Sequence, residues 1–169
     1  LKQRQFGTAL EMVDVATAGY SQDEDADPYL LQLLDLFRIR ALLGLDRNAD
    51  AEATFAAALE AAGDPKARLL LVRRFAGGEY EAVMEVLGER MLAAALSARE
   101  AFEPEDNDDL VWRDVVIGRV HKARGNLAEA VRWQEQAVAA ADADNLDDAQ
   151  SRLDTYRAAL AASDDPASD

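Results

Sequence analysis

Apolar residues recur every three or four positions within long segments of the chain, and short stretches with proline, glycine or clustered acids separate these segments. This spacing is typical of amphipathic helices, because residues three and four apart share one face of a helix. No segment of useful length alternates apolar and polar residues with the period of two that marks a strand. The pattern therefore predicts an all-α protein.

Capping and helix-breaking residues predict the helix boundaries. Asp64 can cap a helix whose first position is Pro65, and Asn126 can cap the helix that begins at Leu127. Gly88 is a candidate break within the fifth helix, because glycine disfavours a helix interior. Eight helices are predicted, at residues 2–19, 28–44, 48–62, 65–76, 79–102, 108–124, 127–141 and 146–162.

Acidic connectors interrupt the helices at 21–28 and 103–109. The first of them contains alternating aspartates, Asp23, Asp25 and Asp27, as at the start of a calcium-binding loop. However, proline stands where such a loop needs its glycine turn, and leucine stands where it needs its bidentate glutamate. We therefore interpret the first segment as an acidic connector, and we expect the acids of the second to lie at the positive end of the sixth helix.

Small residues recur at a characteristic spacing in the last predicted hairpin. If Val111 is the first position of a 34-residue unit, Gly118 is at position 8, Gly125 at 15, Ala130 at 20 and Ala137 at 27. This arrangement resembles the tetratricopeptide repeat family. The resemblance implies that the small residue at position 8 lies close to the alanine at 20, and that the alanine at 27 admits the next repeat.

Two looser copies of the pattern occur upstream, with the corresponding small and aromatic residues at Ala51, Phe55, Ala58, Gly77, Tyr80 and Ala82. The alanines at position 20 are 31 residues apart and then 48 apart, so the second interval contains an insertion. The best repeat also departs from the family pattern at Asp114, where tryptophan is usual, and at His121, where tyrosine is usual. A generic α-solenoid or an irregular helical bundle is the structural alternative.

The resemblance implies an α-solenoid of antiparallel helix hairpins wound into a right-handed superhelix. We expect one domain at 1–162, followed by a disordered tail at 163–169. Its hairpins and flanking helices are expected at residues 28–62, 65–102 and 108–141, with helices 2–19 and 146–162 on either side.

Composition restricts the function classes. The chain has 18 Lys and Arg against 33 Asp and Glu, a net charge of −15 that repels nucleic acids and anionic membranes. Without cysteine, neither a disulfide nor a thiolate metal site can form. No apolar run approaches the roughly 20 residues of a membrane helix, and the start has no signal-peptide core. The compartment stays open, with the cytoplasm favoured, and the first residue, Leu1, suggests a piece of a longer chain.

No motif for catalysis, nucleotide binding or metal binding occurs, so we expect neither an enzyme nor a cofactor. The sole histidine, His121, has no second histidine or cysteine to share a metal with. It is predicted to pack between helices, with ligation or catalysis as the alternative. Trp112 and Trp133 are predicted to pack between repeats, with a role as stacking platforms as the alternative.

Basic residues concentrate in the first helices of the three hairpins. Ten of the 18 lie there: Arg38, Arg40, Lys66, Arg68, Arg73, Arg74, Arg113, Arg119, Lys122 and Arg124. The family resemblance implies that first helices line a concave groove, into which positions 2, 5, 9 and 12 point. The resulting candidates for a binding site are Arg40, Arg74, Trp112, Arg119 and Lys122.

Guanidinium groups beside an aromatic wall suit an acidic peptide or a chain-terminal carboxylate. We therefore expect a non-catalytic protein–protein interaction module that binds an acidic or extended peptide. The family's usual carboxylate clamp is not expected, because the asparagine it needs at position 9 is here Arg119. One alternative is that the cations merely offset acidic helices through exposed ion pairs. Another is a regulatory or oligomerisation segment of a larger bacterial signalling or transcription-regulatory protein.

Overall fold

The computed structural model describes residues 2–20, 27–76 and 81–163, and over these ranges the chain forms eight α-helices and no strand. The helices are α1 (Lys2–Tyr20), α2 (Pro28–Gly44), α3 (Asn48–Ala62), α4 (Pro65–Ala76), α5 (Glu81–Ala101), α6 (Asn107–Ala123), α7 (Leu127–Ala140) and α8 (Leu146–Ser163). The all-α prediction is confirmed. Each helix end lies within one residue of its predicted position, apart from the start of α5, where residues 79 and 80 lie outside the described ranges.

Aspartate side chains cap the helices where the sequence predicts it. Asp64 Oδ1 accepts a hydrogen bond from the backbone N–H of Ala67 at 2.9 Å, and Asp106 Oδ1 accepts one from Asp109 at 2.9 Å. Each bond satisfies an N–H group that has no partner within its own helix. Asn126 holds the predicted N-cap position of α7, but its side chain does not cap the helix. This residue precedes α7, but its backbone is not extended (φ −81°, ψ 65°), and its side chain makes no capping hydrogen bond.

The first acidic connector ends in a cap. Asp27 Oδ1 accepts a hydrogen bond from the backbone N–H of Tyr29 at 2.8 Å, which starts α2 at Pro28. Asp23 and Asp25 lie outside the described residues, as do Gly77, Tyr80 and the predicted tail from residue 164 onwards.

Each helix packs against the next one along the chain. Three residues connect α2 to α3 and three connect α6 to α7, so the two helices of each pair must run in opposite directions. In addition, α4 contacts α6, α6 contacts α8, and both α2 and α3 contact α5. The curvature of this arrangement into a right-handed superhelix stays a prediction. No helix of the described ranges is long and apolar enough to cross a membrane.

The buried side chains form two apolar clusters. The main cluster extends from α2 to α6 and includes the fully buried rings of Phe55 and Phe75, whose centroids are 5.6 Å apart. The second cluster joins α7 to α8 and consists of Ala130, Val131, Leu153 and Tyr156. A buried amide adds to this second contact, because Gln134 Nε2 donates a hydrogen bond to the carbonyl oxygen of Ala149 at 2.9 Å. These contacts fix α8 against the preceding hairpin.

Small residues lie at helix contacts in the first and last hairpins, as predicted. Ala51, Ala130 and Ala137 are fully buried. A β-carbon built on Gly118 would lie 3.4 Å from the carbonyl oxygen of Ala130, so α6 and α7 approach closely there. The prediction for Ala82 is wrong, because this alanine is exposed.

The face of α5 that is buried carries larger side chains than Ala82. Val83, Met84 and Leu87 turn towards the main cluster, because they remove more apolar surface from water than an alanine can. The predicted break at Gly88 is also wrong, since α5 continues through it. Gly88 is instead a contact point, where an added β-carbon would lie 3.0 Å from Cγ of Arg124.

Candidate functional site

Three helices, α4, α6 and α8, lie side by side and run in the same direction. Lys66 Nζ in the first turn of α4 lies 3.0 Å from Asp109 Oδ1 in the first turn of α6. Asn145, immediately before α8, donates a hydrogen bond to Asp108, which is also in the first turn of α6. Because both contacts join the starts of helices, the three helices begin at the same side of the molecule.

These three helices carry cations and aromatic rings that lie close to one another. We call this set the basic surface: Arg73 on α4, Trp112, Arg119 and Lys122 on α6, and Arg152 and Tyr156 on α8. The guanidinium carbon of Arg73 lies 6.0 Å from the centre of the Trp112 ring, and Lys122 Nζ lies 5.8 Å from the centre of the Tyr156 ring. Both distances are within the range of cation–π attraction. The surface therefore joins all three helices.

Arg119 lies at the centre of the basic surface. It is half-buried and makes no hydrogen bond or ion pair with any described residue. Burial lowers the pKa of Arg119, and the positive charges of Arg152 and Arg73 lower it further, while Tyr156 and Asp148 oppose the shift. An arginine nevertheless stays protonated in proteins. The centre of the surface thus holds a positive charge that is partly removed from water and lies between two others.

The α8 side of the surface combines a buried phenol with a paired arginine. Burial raises the pKa of Tyr156, although the nearby charges of Arg119 and Arg152 oppose the shift. The phenol is therefore neutral near pH 7. Arg152 forms an ion pair with Asp148, one helical turn earlier. The side chain of Asp148 is 73% exposed, so this acid lies at the edge of the surface.

Several other cations of the first helices are paired, as the ion-pair alternative expects. Arg38 contacts Asp14 at 2.6 Å. The buried carboxylate of Asp114 accepts hydrogen bonds from Arg113 at 3.0 Å and Arg99 at 3.2 Å. By contrast, Arg73, Arg119 and Lys122 form no ion pair with any residue in the described ranges. Charge neutralisation thus accounts for part of the basic set and for Arg152, but not for Arg73, Arg119 and Lys122.

The structure separates the predicted site residues into two groups. Trp112, Arg119 and Lys122 lie together on one face of α6, at the helical spacing of seven and three residues. Arg74 is directed towards α2, where its Nη1 donates a hydrogen bond to Gln32 Oε1 at 2.6 Å. Arg40 is exposed on α2, which is not one of the three helices of the basic surface.

Three members of the surface are not among the site residues predicted from the sequence: Arg73, Arg152 and Tyr156. A usable signal was present for one of them, because Tyr156 follows Lys122 by one repeat length of 34 residues. Continuing the repeat into the last helix would have placed that ring beside the predicted cations. Arg152 is one turn before Tyr156 on the same helix face.

His121 is buried at the last turn of α6, in line with the predicted packing role. Its Nδ1 has no hydrogen-bond partner among the described residues. Burial lowers the pKa of His121, with Glu129 opposing the shift and Arg124 reinforcing it. The ring is therefore neutral near pH 7. Within the described part of the chain, no three metal-ligating side chains come together.

An open pocket of about 430 Å³ lies between α5 and the end of α6, and none of its described lining residues belongs to the basic surface. Its lining includes Met84, Glu85 and Ala123, together with Glu89 and Arg124. The last two contact each other at 3.3 Å, so the charged groups at this pocket partly satisfy one another. This leaves the basic surface as the stronger candidate for a binding site.

Comparisons of the chain with protein-family models, with curated proteins and with solved structures found no match. The chemistry of the basic surface is therefore the basis for a functional proposal. Arginine groups offer planar forks of hydrogen-bond donors that match carboxylates, and the partly exposed ring of Trp112 offers an apolar wall beside them. Such a surface can bind an anion and the chain that carries it.

Proposed function

We propose that the protein is a non-catalytic interaction module whose basic surface binds an acidic, extended segment of another protein. The observation that carries this proposal is the state of Arg119, which is half-buried, lies between Arg73 and Arg152 and has no ion-pair partner among the described residues. Like charges held together in a partly desolvated place raise the free energy of the unbound protein. A bound anion relieves that repulsion.

Affinity at such a surface comes from the cations and specificity from their spacing. Hydrogen bonds between guanidinium and carboxylate groups are charge-assisted and gain strength where water is partly excluded. Three parallel helices present their cations in a row, which suits a chain with successive acidic side chains. The resemblance to tetratricopeptide repeats supports the same kind of ligand, because that family binds extended peptides along its first helices.

A regulatory or oligomerisation segment of a larger protein stays the alternative prediction. In that case an acidic part of a neighbouring domain would occupy the same surface. Both functions need the same cations, so the first experiment tests the surface itself.

Reversing the central charges tests the proposal. We expect the double variant Arg119→Glu, Lys122→Glu to lose binding of a fluorescein-labelled hexaglutamate peptide, measured by fluorescence anisotropy, because the new carboxylates repel the ligand and occupy the remaining cations. The midpoint of thermal unfolding should change by no more than a few degrees, since neither side chain makes an ion pair in the described structure.

The matched control is the double variant Arg47→Glu, Arg132→Glu, which changes the net charge equally. Both arginines are exposed and pair only locally, with Asp50 and Glu129. We expect this variant to bind hexaglutamate nearly as well as the wild type. Equal losses in both variants would show that net charge, rather than the basic surface, governs the interaction, and unchanged affinity of the first variant would refute the site.

A further inference from the structure

One acid already contacts the basic surface. Among the described residues, Asp148 is the one carboxylate that pairs with a cation of this surface, through Arg152. It is in the first turn of α8, four residues before its partner. Its negative charge also acts on Arg119. The carboxylate therefore lies where an anionic ligand would have to approach both guanidinium groups.

The pair between Asp148 and Arg152 is easily opened. The aspartate side chain is 73% exposed and that of the arginine 28% exposed. Exposed ion pairs of this spacing contribute little to stability, because water replaces the contact. A short rotation of the aspartate towards solvent would free Arg152 without any change in the helices.

We infer that Asp148 acts as an internal competitor, which holds Arg152 in the free protein and is displaced when the acidic segment binds. This inference rests on the function proposed above. Displacing Asp148 costs every ligand the same small free energy, so a ligand with a single isolated charge loses the larger share of its binding free energy. A run of adjacent acids also engages Arg119 and Arg73, and it overcomes the competitor. Asp148 thereby selects segments with several consecutive carboxylates.

Neutralising the competitor tests this inference. The variant Asp148→Asn should bind labelled hexaglutamate about two- to fivefold more tightly than the wild type, the factor expected from removing an exposed ion pair. The matched control is Asp147→Asn, which removes one charge from the same first turn of α8 but has no described contact with the basic surface. It should change the affinity much less. Asp148→Glu, which keeps the charge, should stay close to the wild type.

The possible outcomes separate this inference from the proposed function. If Asp148→Asn and Asp147→Asn bind equally while the double charge reversal abolishes binding, the competitor is refuted and the interaction surface stands. If the wild type and both asparagine variants fail to bind hexaglutamate, both ideas are refuted. A hexaglutamine peptide of the same length serves as the neutral probe, and binding of this peptide with equal affinity would also contradict the competitor. Matching thermal midpoints of the two variants will show that α8 stays folded.

Discussion

At the scale of single residues, two hairpin turns place different residues, an aspartate and a glycine, in the same left-handed backbone conformation. Asp46 after α2 has φ 59° and Gly125 after α6 has φ 77°, both in the left-handed region. In each turn the next N–H group donates to the carbonyl oxygen five residues earlier at 2.9 Å, which closes the end of the helix. Only glycine takes this conformation without a steric cost, because it has no β-carbon.

The first prediction follows from this comparison. Replacing Asp46 with glycine should raise the free energy of unfolding by about 0.5–1 kcal/mol, because the left-handed strain is removed from the native state. Urea denaturation followed by circular dichroism at 222 nm measures the change. Gly125→Ala should have the opposite sign at the equivalent turn. A less stable Asp46→Gly variant would mean that the carboxylate makes a compensating contribution in the folded protein.

At the scale of helices, the contact between α6 and α7 limits the size of the side chain at position 118, which is glycine. A β-carbon there would lie 3.4 Å from Ala130 O and 3.5 Å from Trp133 Cβ, which is ordinary contact distance. One methyl group therefore fits, whereas the further atoms of a larger side chain at this buried position would press against α7. The limit comes from helix packing rather than from backbone conformation.

The second prediction uses this limit. Gly118→Ala should be neutral or stabilising by up to about 1 kcal/mol, because alanine favours a helix interior and its methyl group is accommodated. Gly118→Leu should destabilise by about 1–3 kcal/mol, since the added atoms force α6 and α7 apart. The midpoints of thermal unfolding of the two variants, compared with that of the wild type, measure these changes in stability. Equal stability of both would show that the two helices separate at little cost.

The comparison of helices with the sequence shows which local signals were sufficient. Helix ends were predictable because proline, glycine and capping aspartates act on the nearest turn, as at Asp64 and Asp106. The burial of Ala51 and Ala130 followed from a spacing measured within one hairpin. The prediction that Ala82 lies at a helix contact failed because its register was inferred from Gly77. Its larger neighbours occupy the buried face instead, since they bury more apolar surface.

The candidate site was predictable only within a single helix. Trp112, Arg119 and Lys122 share a face of α6 by their spacing alone. Arg73 and Arg152 join them through packing between helices far apart in the chain, which no local pattern specifies. The prediction that Arg74 belongs to the site failed for the same reason, because its hydrogen-bond partner, Gln32, lies on a different helix, α2.

At the scale of the whole molecule, a positive surface lies on a strongly negative protein. The net charge of −15 repels an acidic ligand at long range, whereas the basic surface attracts it at contact. Salt affects the two ranges differently, because the screening length falls from about 30 Å at 0.01 M to about 8 Å at 0.15 M and about 3 Å at 1 M. The long-range repulsion is screened first.

The third prediction is an affinity maximum in salt. Hexaglutamate binding should strengthen between about 0.01 M and 0.15 M sodium chloride, as repulsion is screened, and weaken towards 1 M, as the contacts themselves are screened. Anisotropy titrations across this range measure it. The Arg47→Glu, Arg132→Glu variant, which is more negative, should show a steeper rise at low salt. A steady fall from the lowest salt concentration would show that long-range repulsion has no part in the interaction.

The basic surface crosses the boundary between the two apolar clusters. Trp112 packs against the main cluster, and Tyr156 belongs to the second. A peptide bound from Arg73 to Arg152 would therefore contact both parts of the protein and would hold α7 and α8 against the helices of the main cluster. With the peptide bound, the two clusters would unfold together. Binding would therefore raise the cooperativity of unfolding.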